Sequence, residues 1–446
     1  MHRTLLKNAT IVNEGHRFVG SVVIDDERID QIIEGKDATP QVPVDFVIDA
    51  EGQYLLPGVI DTHVHFREPG LTEKGDMKTE SRAAAAGGVT TWLDMPNTNP
   101  QTTSLEAYEA KMALAARHSP LNYGFFIGAT KTNVQEVTKI SIRRFAGIKV
   151  FMGASTGNML VDDADALDYL FEHAKVPIVT HCEDSSIIAK NVKQYQDACQ
   201  GSDSLNYHPL IRSEEACYKS THRAVKLAQR YGTQLHVAHI STAKELSLFS
   251  PKKYPHITAE VCLPHLLFCD TDYARLGARI KCNPAVKTAE DRQALRRALS
   301  TEKIYTIATD HAPHRLKEKQ GGALQAASGM PMVQFSLVSM LELMDEGVLT
   351  MERLVELMCH HPARLFRIEN RGFIREGYKA DLVLVRPNAP WTLTPNRIRS
   401  KCNWSPLEGH TFSWRVEKTF CNGFPIYSNG HLADEYLRGQ AVTYLR

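Results

Sequence analysis

Two histidines, His63 and His65, form the part of the sequence best suited to chemistry, in the segment IDTHVHFR. The apolar run from Tyr54 to Ile60 that precedes them predicts a buried strand. Side chains two positions apart on a strand point to the same face, so both imidazoles lie together at its end. Because neutral imidazole is the commonest nitrogen ligand of zinc, the pair indicates part of a metal site. Taken alone, the pair equally fits one hydrogen-bonded core histidine beside one that faces a helix.

Polar side chains also end five further apolar segments that read as strands. They are Asn97, Lys149, His181, His239 and Asp310. In a (β/α)₈ barrel the carboxyl ends of the strands converge on one face, where active sites are built. Packing alone does not explain metal-competent or substrate-competent groups at six strand ends, so these residues are predicted to share one site.

The elements that position these residues alternate between strand and helix from Tyr54 onward. Roughly eight strand–helix units over about 310 residues favour an α/β fold with a (β/α)₈ barrel, and a doubly wound open sheet is the alternative. No GxGxxG follows a strand and no phosphate loop is present, so a nucleotide site has no support. Residues 1–54 and 371–446 read as short strands with turns. They are predicted to form one small β-sandwich-like domain beside the barrel of residues 55–370.

Composition excludes several classes of function. The formal net charge of +1 argues against a surface dedicated to nucleic acid or membrane, and 43% hydrophobic with 23% charged residues is typical of a globular protein. No apolar run reaches the roughly 18 residues of a membrane span, and the start of the chain lacks the core of a signal peptide. Nine cysteines without a CxxC pair predict reduced thiols in a cytoplasm.

Five of the polar groups are of metal-ligand type: His63, His65, His181, His239 and Asp310. One catalytic zinc takes three protein ligands and a water, so five groups suggest two ions, which at about 3.5–4 Å need a bridging ligand. Lys149 is costly to bury as a cation, so it must be paired, neutral or modified. A carbamate formed with CO₂ would supply a bridge, whereas a salt bridge to an acid or a contact with a substrate anion are the alternatives.

Motifs along essentially the whole chain resemble those of the cyclic amidohydrolases of the amidohydrolase superfamily. They are DTHVHFREPG, AAAAGGVTTWLDMPNTNP, GIKVFMGASTG, PIVTHCED, LHVAHIS, RIKCNPA, IATDHAPH and HHPARLFRIENRGFIREGYKADLVLV. The resemblance is strongest to the long-chain bacterial dihydroorotases. It implies a metal-dependent barrel with two zinc ions: His63, His65 and Asp310 on one, His181 and His239 on the other, and carboxylated Lys149 between. Many dihydroorotases of this type carry aspartate at the bridging position, and the context KVFMG is closer to hydantoinases and allantoinases.

The activity that this resemblance implies is the reversible cyclisation of N-carbamoyl-L-aspartate to L-dihydroorotate, the ring-closing step of pyrimidine synthesis. A hydroxide between the two ions attacks the ring amide, and Asp310 acts as general acid and base. The family's substrate contacts fall on Arg67, Asn97, Asn283, His314, Ser328 and Gly329.

Each of these contacts also has a plainer interpretation. Arg67 is placed to grip a carboxylate bidentately, and a salt bridge at the rim is its alternative. His314 is a second candidate contact to the carboxylate, or else an exposed loop histidine. Asn97 and Asn283 offer amide hydrogen bonds to a ureide, or else cap turns before proline. The segment HRLKEKQGGALQAASGMP, which begins at His314, is predicted to be a mobile loop.

Two further functions remain as alternatives. The first is hydrolysis of another cyclic amide, as in hydantoinases, dihydropyrimidinases or allantoinases. Hydantoinases lack the arginine, and allantoinases typically carry asparagine there. The second is a non-catalytic scaffold on the same barrel, against which the full set of ligands counts. The expected partners are a small-molecule substrate and a second copy in a homodimer.

Overall fold

The computed structural model describes residues 2–141, 143–153, 159–198, 203–433 and 439–446. The N-terminal part forms five strands, and four of them bury apolar side chains. The five are β1 (Arg3–Asn13), β2 (His16–Asp25), β3 (Arg28–Glu34), β4 (Phe46–Asp49) and β5 (Tyr54–Pro57). Glu14 and Gly15, between β1 and β2, have φ values of 52° and 80°, as a tight two-residue hairpin turn requires.

A closed barrel of parallel strands follows. Its strands are β6 (Val59–Val64), β7 (Val89–Asp94), β8 (Asn122–Phe125), β9 (Ile127–Gly128), β10 (Ile148–Phe151), β11 (Ile178–His181), β12 (Leu235–Val237), β13 (Ile257–Cys262) and β14 (Thr306–Ala308). Only Phe126 separates β8 from β9, so they occupy one position in the barrel. A parallel bridge between Val64 and His311 joins the last strand to the first. The predicted (β/α)₈ barrel is confirmed, and the open sheet is excluded.

Helices connect the strands and cover the barrel. The α-helices are α1 (Met77–Ala86), α2 (Leu105–His118), α3 (Val134–Val137), α4 (Ala164–His173), α5 (Ser185–Ala198), α6 (His208–Ile211), α7 (Glu214–Tyr231), α8 (Leu263–Leu267), α9 (Tyr273–Leu276), α10 (Ala289–Ala298), α11 (Ser336–Asp345), α12 (Met351–Val355) and α13 (His361–Phe366). Short 3₁₀ turns span Leu205–Tyr207, Glu245–Leu248, Asp270–Asp272, Gly277–Ile280, Leu316–Lys319, Val333–Phe335 and Pro395–Arg397, and a π-helical turn spans Glu356–His360. Several helices begin where a side chain caps free backbone N–H groups, as Asp76 does for α1 and Ser213 for α7.

The C-terminal part returns to strands and completes a sheet with the N-terminal ones. The strands are β15 (Leu382–Arg386), β16 (Trp391–Thr392), β17 (Thr411–Phe412), β18 (Arg415–Cys421), β19 (Phe424–Ser428) and β20 (His431–Leu432). The sheet order is β20-β19-β18-β15-β5-β1-β2-β3, with β4 also paired to β1. A β sheet from both chain ends therefore flanks the barrel, as the sequence predicted. The domain boundaries themselves remain a prediction.

The segment before the histidine pair is two strands rather than one. Tyr54–Pro57 pairs with β1 and β15 in the flanking sheet, whereas Val59–Val64 opens the barrel. Gly58 separates them, and a Cβ atom at this position would lie 2.2 Å from Thr90 Oγ1. The close approach to Thr90 requires glycine, so the chain passes from sheet to barrel within one residue.

The described residues also bear on the cysteines and on membrane insertion. Eight cysteines fall within the described ranges, and all are free thiols. None of the helices in those ranges combines the length and the apolar character that crossing a bilayer demands.

Candidate metal centre and substrate cleft

The first three predicted ligands meet where β14 and β6 adjoin. Asp310 Oδ1 lies 3.5 Å from His63 Nε2 and 3.1 Å from His65 Nε2. One ligand atom from each of the three residues lies within 4.8 Å of the other two. Asp310 has a φ of 48°, a conformation that is uncommon outside glycine and that clusters at functional sites. Two imidazoles and a carboxylate therefore converge at one point.

The second pair of imidazoles lies at the ends of β11 and β12. His181 Nδ1 is 2.9 Å from His239 Nε2, and His181 Nε2 is 2.8 Å from a carboxylate oxygen of Glu183. Because Nε2–H donates to that carboxylate, Nδ1 keeps a lone pair that faces His239. The rings of His63 and His239 have centroids 5.3 Å apart, so the two groups of ligands are adjacent.

Hydrogen-bond acceptors fix the orientation of the first two imidazoles as well. His63 Nδ1 is 2.7 Å from Glu260 Oε1, and His65 Nδ1 is 2.7 Å from Asn97 Oδ1. Each ring donates its Nδ1–H to that acceptor, which assigns the tautomer and leaves Nε2 free to bind a cation. Sequence reasoning missed Glu260 and Glu183. The only signal for Glu260 is a lone acid inside the apolar strand ITAEVC.

Lys149 projects from β10 into the same cleft and has an unusual environment. Its side chain is fully buried, and its Nζ has no hydrogen-bond partner among the described residues. Nζ lies 5.2 Å from the centroid of the Phe151 ring. Burial lowers the pKa of Lys149, which favours the neutral, nucleophilic amine. The described part of the chain therefore provides no salt bridge for this lysine, one of the alternatives for its role. The motif GIKVFMGASTG continues into residues 154–158, which lie outside the described ranges.

The donor set fits a divalent metal ion. Four imidazoles and one carboxylate are nitrogen and oxygen ligands of the type that zinc and similar ions bind. Three of the imidazoles already point a lone pair inward, away from their acceptors. Among the described residues, the buried Nζ of Lys149 and the buried Nδ1 of His239 in this cluster have no hydrogen-bond partner.

The cleft above these residues has a volume of about 880 Å³. All six predicted substrate contacts line it: Arg67, Asn97, Asn283, His314, Ser328 and Gly329. Three further cations do so as well, Lys74, Arg212 and Lys281, which sequence reasoning did not identify. A positively charged lining attracts anionic ligands.

Among the predicted substrate contacts, Arg67 has the most distinctive environment. It is only 7% exposed, and its Nε donates to the carbonyl of Pro313 at 3.0 Å. Its Nη2 donates to His314 Nε2 at 3.0 Å, and no carboxylate in the described ranges forms an ion pair with it. Burial, together with Arg67, Lys74 and Lys319, lowers the pKa of His314 to about 2. His314 is therefore neutral and orients the guanidinium, and it is not an exposed loop histidine.

The remaining contacts differ in how they are held. The Oδ1 of Asn97 accepts the Nδ1–H of His65 at 2.7 Å, so its side chain orients an imidazole and does not serve as a turn cap. The Oδ1 atom of Asn283 is buried and has no partner within the described ranges. The N–H of Gly329 donates to the carbonyl of Lys281 at 2.8 Å. The loop from His314 is also tied by Asp203, whose carboxylate accepts from the N–H of Leu324 at 3.0 Å. These contacts favour an ordered loop over the predicted mobile one.

Comparisons with known proteins agree over nearly the whole chain. The model of the amidohydrolase family matches residues 54–425. A dihydroorotase from Methanothermobacter thermautotrophicus is 31% identical over 418 residues, which cover 93% of this chain and 92% of the relative. An allantoinase from Bacillus velezensis is 31% identical over 435 residues, covering 96% and 94%. The solved structure of an L-hydantoinase from Arthrobacter aurescens superposes with a TM-score of 0.94 at 27% identity, over 99% of this chain and 100% of that one.

Proposed function

The chain belongs to the amidohydrolase family, and from that membership we propose that it catalyses the dihydroorotase reaction. In this reaction N-carbamoyl-L-aspartate closes reversibly to L-dihydroorotate and water. The similarity to curated dihydroorotases over more than nine-tenths of the chain supports this activity. The proposal places the protein among cyclic amidohydrolases that act on a small-molecule substrate.

The buried guanidinium of Arg67 is the observation that favours dihydroorotate over other cyclic amides. Dihydroorotate has a carboxylate outside the ring, whereas hydantoin and allantoin have none. A buried cation without an anionic partner is costly, and a bound carboxylate removes that cost. Arg67 lines the cleft that holds Asp310 and the imidazoles, so it is placed to receive this group. A neutral ring would leave the guanidinium unpaired.

We further propose two zinc ions at this centre. His63, His65 and Asp310 would hold one, and His181 and His239 the other, with carboxylated Lys149 between them. In its neutral form Lys149 has a nucleophilic nitrogen that would add to CO₂ and release a proton to solvent, and the resulting carbamate would give the cluster a negative charge. Ions bound there would lower the pKa of water toward neutrality and polarise the amide carbonyl of the substrate.

The side chains of the cleft supply the rest of the mechanism. Arg67, oriented by His314, binds the exocyclic carboxylate, and the amides of Asn97 and Asn283 bind the ureide. The backbone at Ser328 and Gly329 borders the ring. Binding at several points fixes the scissile amide beside Asp310 and removes the entropy cost of orientation from the chemical step.

Asp310 moves the proton. Burial opposes its charge, but His63 and His65 beside it hold the pKa of its carboxyl below the ordinary value, so it is a carboxylate at neutral pH. In hydrolysis the oxygen of water bonds to the ring carbonyl carbon, and Asp310 accepts the proton of that water. The C–N bond then breaks, and the same proton passes to the leaving nitrogen. Ring closure runs through the same groups in reverse.

Hydrolysis of another cyclic amide is the second candidate. The similarity to the allantoinase and the close superposition on the L-hydantoinase favour it. Initial rates on dihydroorotate, hydantoin, allantoin and dihydrouracil, with metal analysis of the same preparation, distinguish the two. We expect the highest kcat/KM with dihydroorotate and two zinc ions per chain. Faster turnover of a neutral ring would reject the proposed activity.

The proposed setting is a homodimer in the cytoplasm, with neither a nucleic-acid nor a membrane partner. The eight free thiols among the described cysteines are consistent with a reducing compartment. Light scattering coupled to size-exclusion chromatography tests the assembly, for which a mass of twice 50.0 kDa is expected.

A further inference from the structure

Lys319 is a buried lysine that takes no part in the proposed chemistry. It ends the 3₁₀ turn Leu316–Lys319, is 6% exposed and does not line the cleft. Its Nζ donates to three backbone carbonyls, those of Lys281 at 3.1 Å, Ala327 at 2.6 Å and Gly329 at 2.7 Å. Within the described ranges no carboxylate forms an ion pair with it. An ammonium has three N–H donors, so these carbonyls use its whole capacity.

The three carbonyls belong to the two loops that carry half of the proposed substrate contacts. Lys281 is two residues before Asn283, whereas Ala327 and Gly329 flank Ser328. The carbonyl of Lys281 also accepts from the N–H of Gly329 at 2.8 Å, so a backbone hydrogen bond joins the same two loops. The ammonium therefore fixes the spacing between the segment after β13 and the segment after β14.

Trp404 connects the ammonium of Lys319 with His314 and Arg67, the residues proposed to bind the substrate carboxylate. Lys319 Nζ lies 5.9 Å from the centroid of the Trp404 ring, within the range of a cation–π contact. The indole Nε1–H donates to the carbonyl of His314 at 2.7 Å, and Trp404 is only 1% exposed. Since His314 orients Arg67, the ammonium is connected to both sides of the substrate site.

We propose that Lys319 is a positioning residue whose buried ammonium holds the loops bearing Asn283, Ser328 and Gly329 at the spacing that substrate binding requires. It acts through backbone carbonyls and contacts neither substrate nor metal ligands. The inference rests on the proposed function for the identity of the substrate. Its effect on the loops is independent of that identity. Loss of the ammonium leaves three carbonyls without their donor and frees the loops to separate.

The kinetic test compares Lys319→Met and Lys319→Ala with Lys317→Ala, which removes an exposed lysine of the same turn. Methionine keeps the apolar stem and removes the donors. Small displacements of binding groups have large effects, so we expect KM for dihydroorotate to rise about 10- to 100-fold, with kcat changed far less. Zinc content should equal that of the wild type, and Lys317→Ala should behave as the wild type does.

Chemical rescue tests the requirement for N–H donors. Propylammonium replaces the atoms that Lys319→Ala removes and should restore KM toward the wild-type value. Trimethylpropylammonium has the charge but no N–H, and should not restore it. Equal rescue by both cations, or an unchanged KM in both Lys319 variants, would overturn the proposal. So would a fall in kcat alone, or a loss of zinc.

Hydrogen exchange separates this inference from the proposed function. The amide of Gly329 should exchange at least about tenfold faster in Lys319→Met than in the wild type or Lys317→Ala. If the wild type fails to convert dihydroorotate while this acceleration is observed, the proposed function is wrong and the loop linkage stands. If Lys319→Met converts dihydroorotate normally and its Gly329 amide exchanges at the wild-type rate, the loop linkage is rejected. Failure of both Lys319 variants to fold with propylammonium present would assign the residue to the fold and also reject it.

Discussion

At the scale of single residues, two buried basic side chains of the cleft, Arg67 and Lys149, characterise the candidate site. Arg67 and Lys149 are both buried, and neither forms an ion pair within the described ranges. Lys111 is equally buried but has Asp94 Oδ2 at 2.5 Å, the ordinary solution for a lysine in a core. The contrast supports the proposal that Arg67 binds a substrate carboxylate and that Lys149 is carboxylated.

Arg67→Met tests the proposed contact with the substrate carboxylate. We expect kcat/KM for dihydroorotate to fall about 10²- to 10³-fold, the effect of removing one partner of a buried charged pair. The kcat/KM of Arg67→Lys should lie between those of the wild type and Arg67→Met, because an ammonium has the charge but lacks the planar, two-pronged geometry of a guanidinium. Steady-state kinetics with metal analysis checks this, and the zinc content should not change. An unaffected kcat/KM would show that the carboxylate binds elsewhere.

Lys149→Ala tests the proposed carbamate bridge. The variant should lose at least one metal equivalent and most of its activity, because the bridging anion is gone. Acetate or propionate should restore part of both, since a short carboxylate fits the space and supplies the missing oxygens. The readouts are zinc per chain and initial rate against carboxylate concentration. A variant with two ions and a full rate would contradict the bridging role.

At the scale of elements, the strand ends carry the proposed metal ligands, and nearby residues provide the hydrogen-bond acceptors that orient their rings. Glu183 follows β11, accepts from His181 and forms a salt bridge with Arg212, which follows α6. One carboxylate thus connects a ligand with a segment that lines the cleft. Glu260 makes the equivalent connection between β13 and His63 of β6.

Glu183 should make the free energy of unfolding depend on pH. Burial alone would raise its pKa, but Arg212 and His181 lower it to about 2, below the ordinary value of 4.5. Its folded-state pKa is depressed, so its contribution to stability is present above pH 4.5 and is lost as the pH falls toward 2. Between pH 5 and pH 3, the free energy of unfolding of the metal-free wild type, measured with urea, should therefore fall by more than that of metal-free Glu183→Gln. Identical losses would show that the carboxylate does not titrate in this way.

Much of the site was predictable from sequence, and the reason is local periodicity. The spacing of His63 and His65 and the polar ends of apolar strands depend on a few neighbouring residues, so pattern alone brings them to one face. Glu260 and Glu183 were not predictable, because an acid in an apolar strand acquires a partner only when distant strands pair. The break at Gly58 was hidden for the same reason, since its cause is the side chain of Thr90, which lies on another strand.

At the scale of the whole molecule, a buried polar network joins the flanking sheet to the barrel. Arg371 forms a salt bridge with Asp381, and the side chains are 4% and 2% exposed. Asp381 Oδ2 also accepts from Asn122 of β8 at 3.0 Å, and its Oδ1 accepts from the N–H of Asn422 at 2.8 Å. The sheet and the barrel are therefore connected through one carboxylate as well as through apolar contacts.

Asp381→Ala should destabilise the whole chain without altering the metal centre. It leaves the Arg371 guanidinium buried without its acid, which costs about 3–5 kcal/mol in the free energy of unfolding. Urea denaturation followed by far-UV circular dichroism measures the loss, and zinc content measured below the transition serves as the control. A change under about 1 kcal/mol would mean that water enters and solvates the guanidinium.

The shared sheet has a consequence for how the chain is made. Strand β5 lies between β1 and β15, yet about 325 residues separate β5 from β15 along the polypeptide. On the ribosome, β5 emerges long before β15, the strand that covers its open edge. A nascent chain carries that edge exposed for most of its synthesis, and exposed edges pair with other chains. The interval of greatest risk for this protein is therefore translation, and chaperone dependence should end only when the region of β15 has left the exit tunnel.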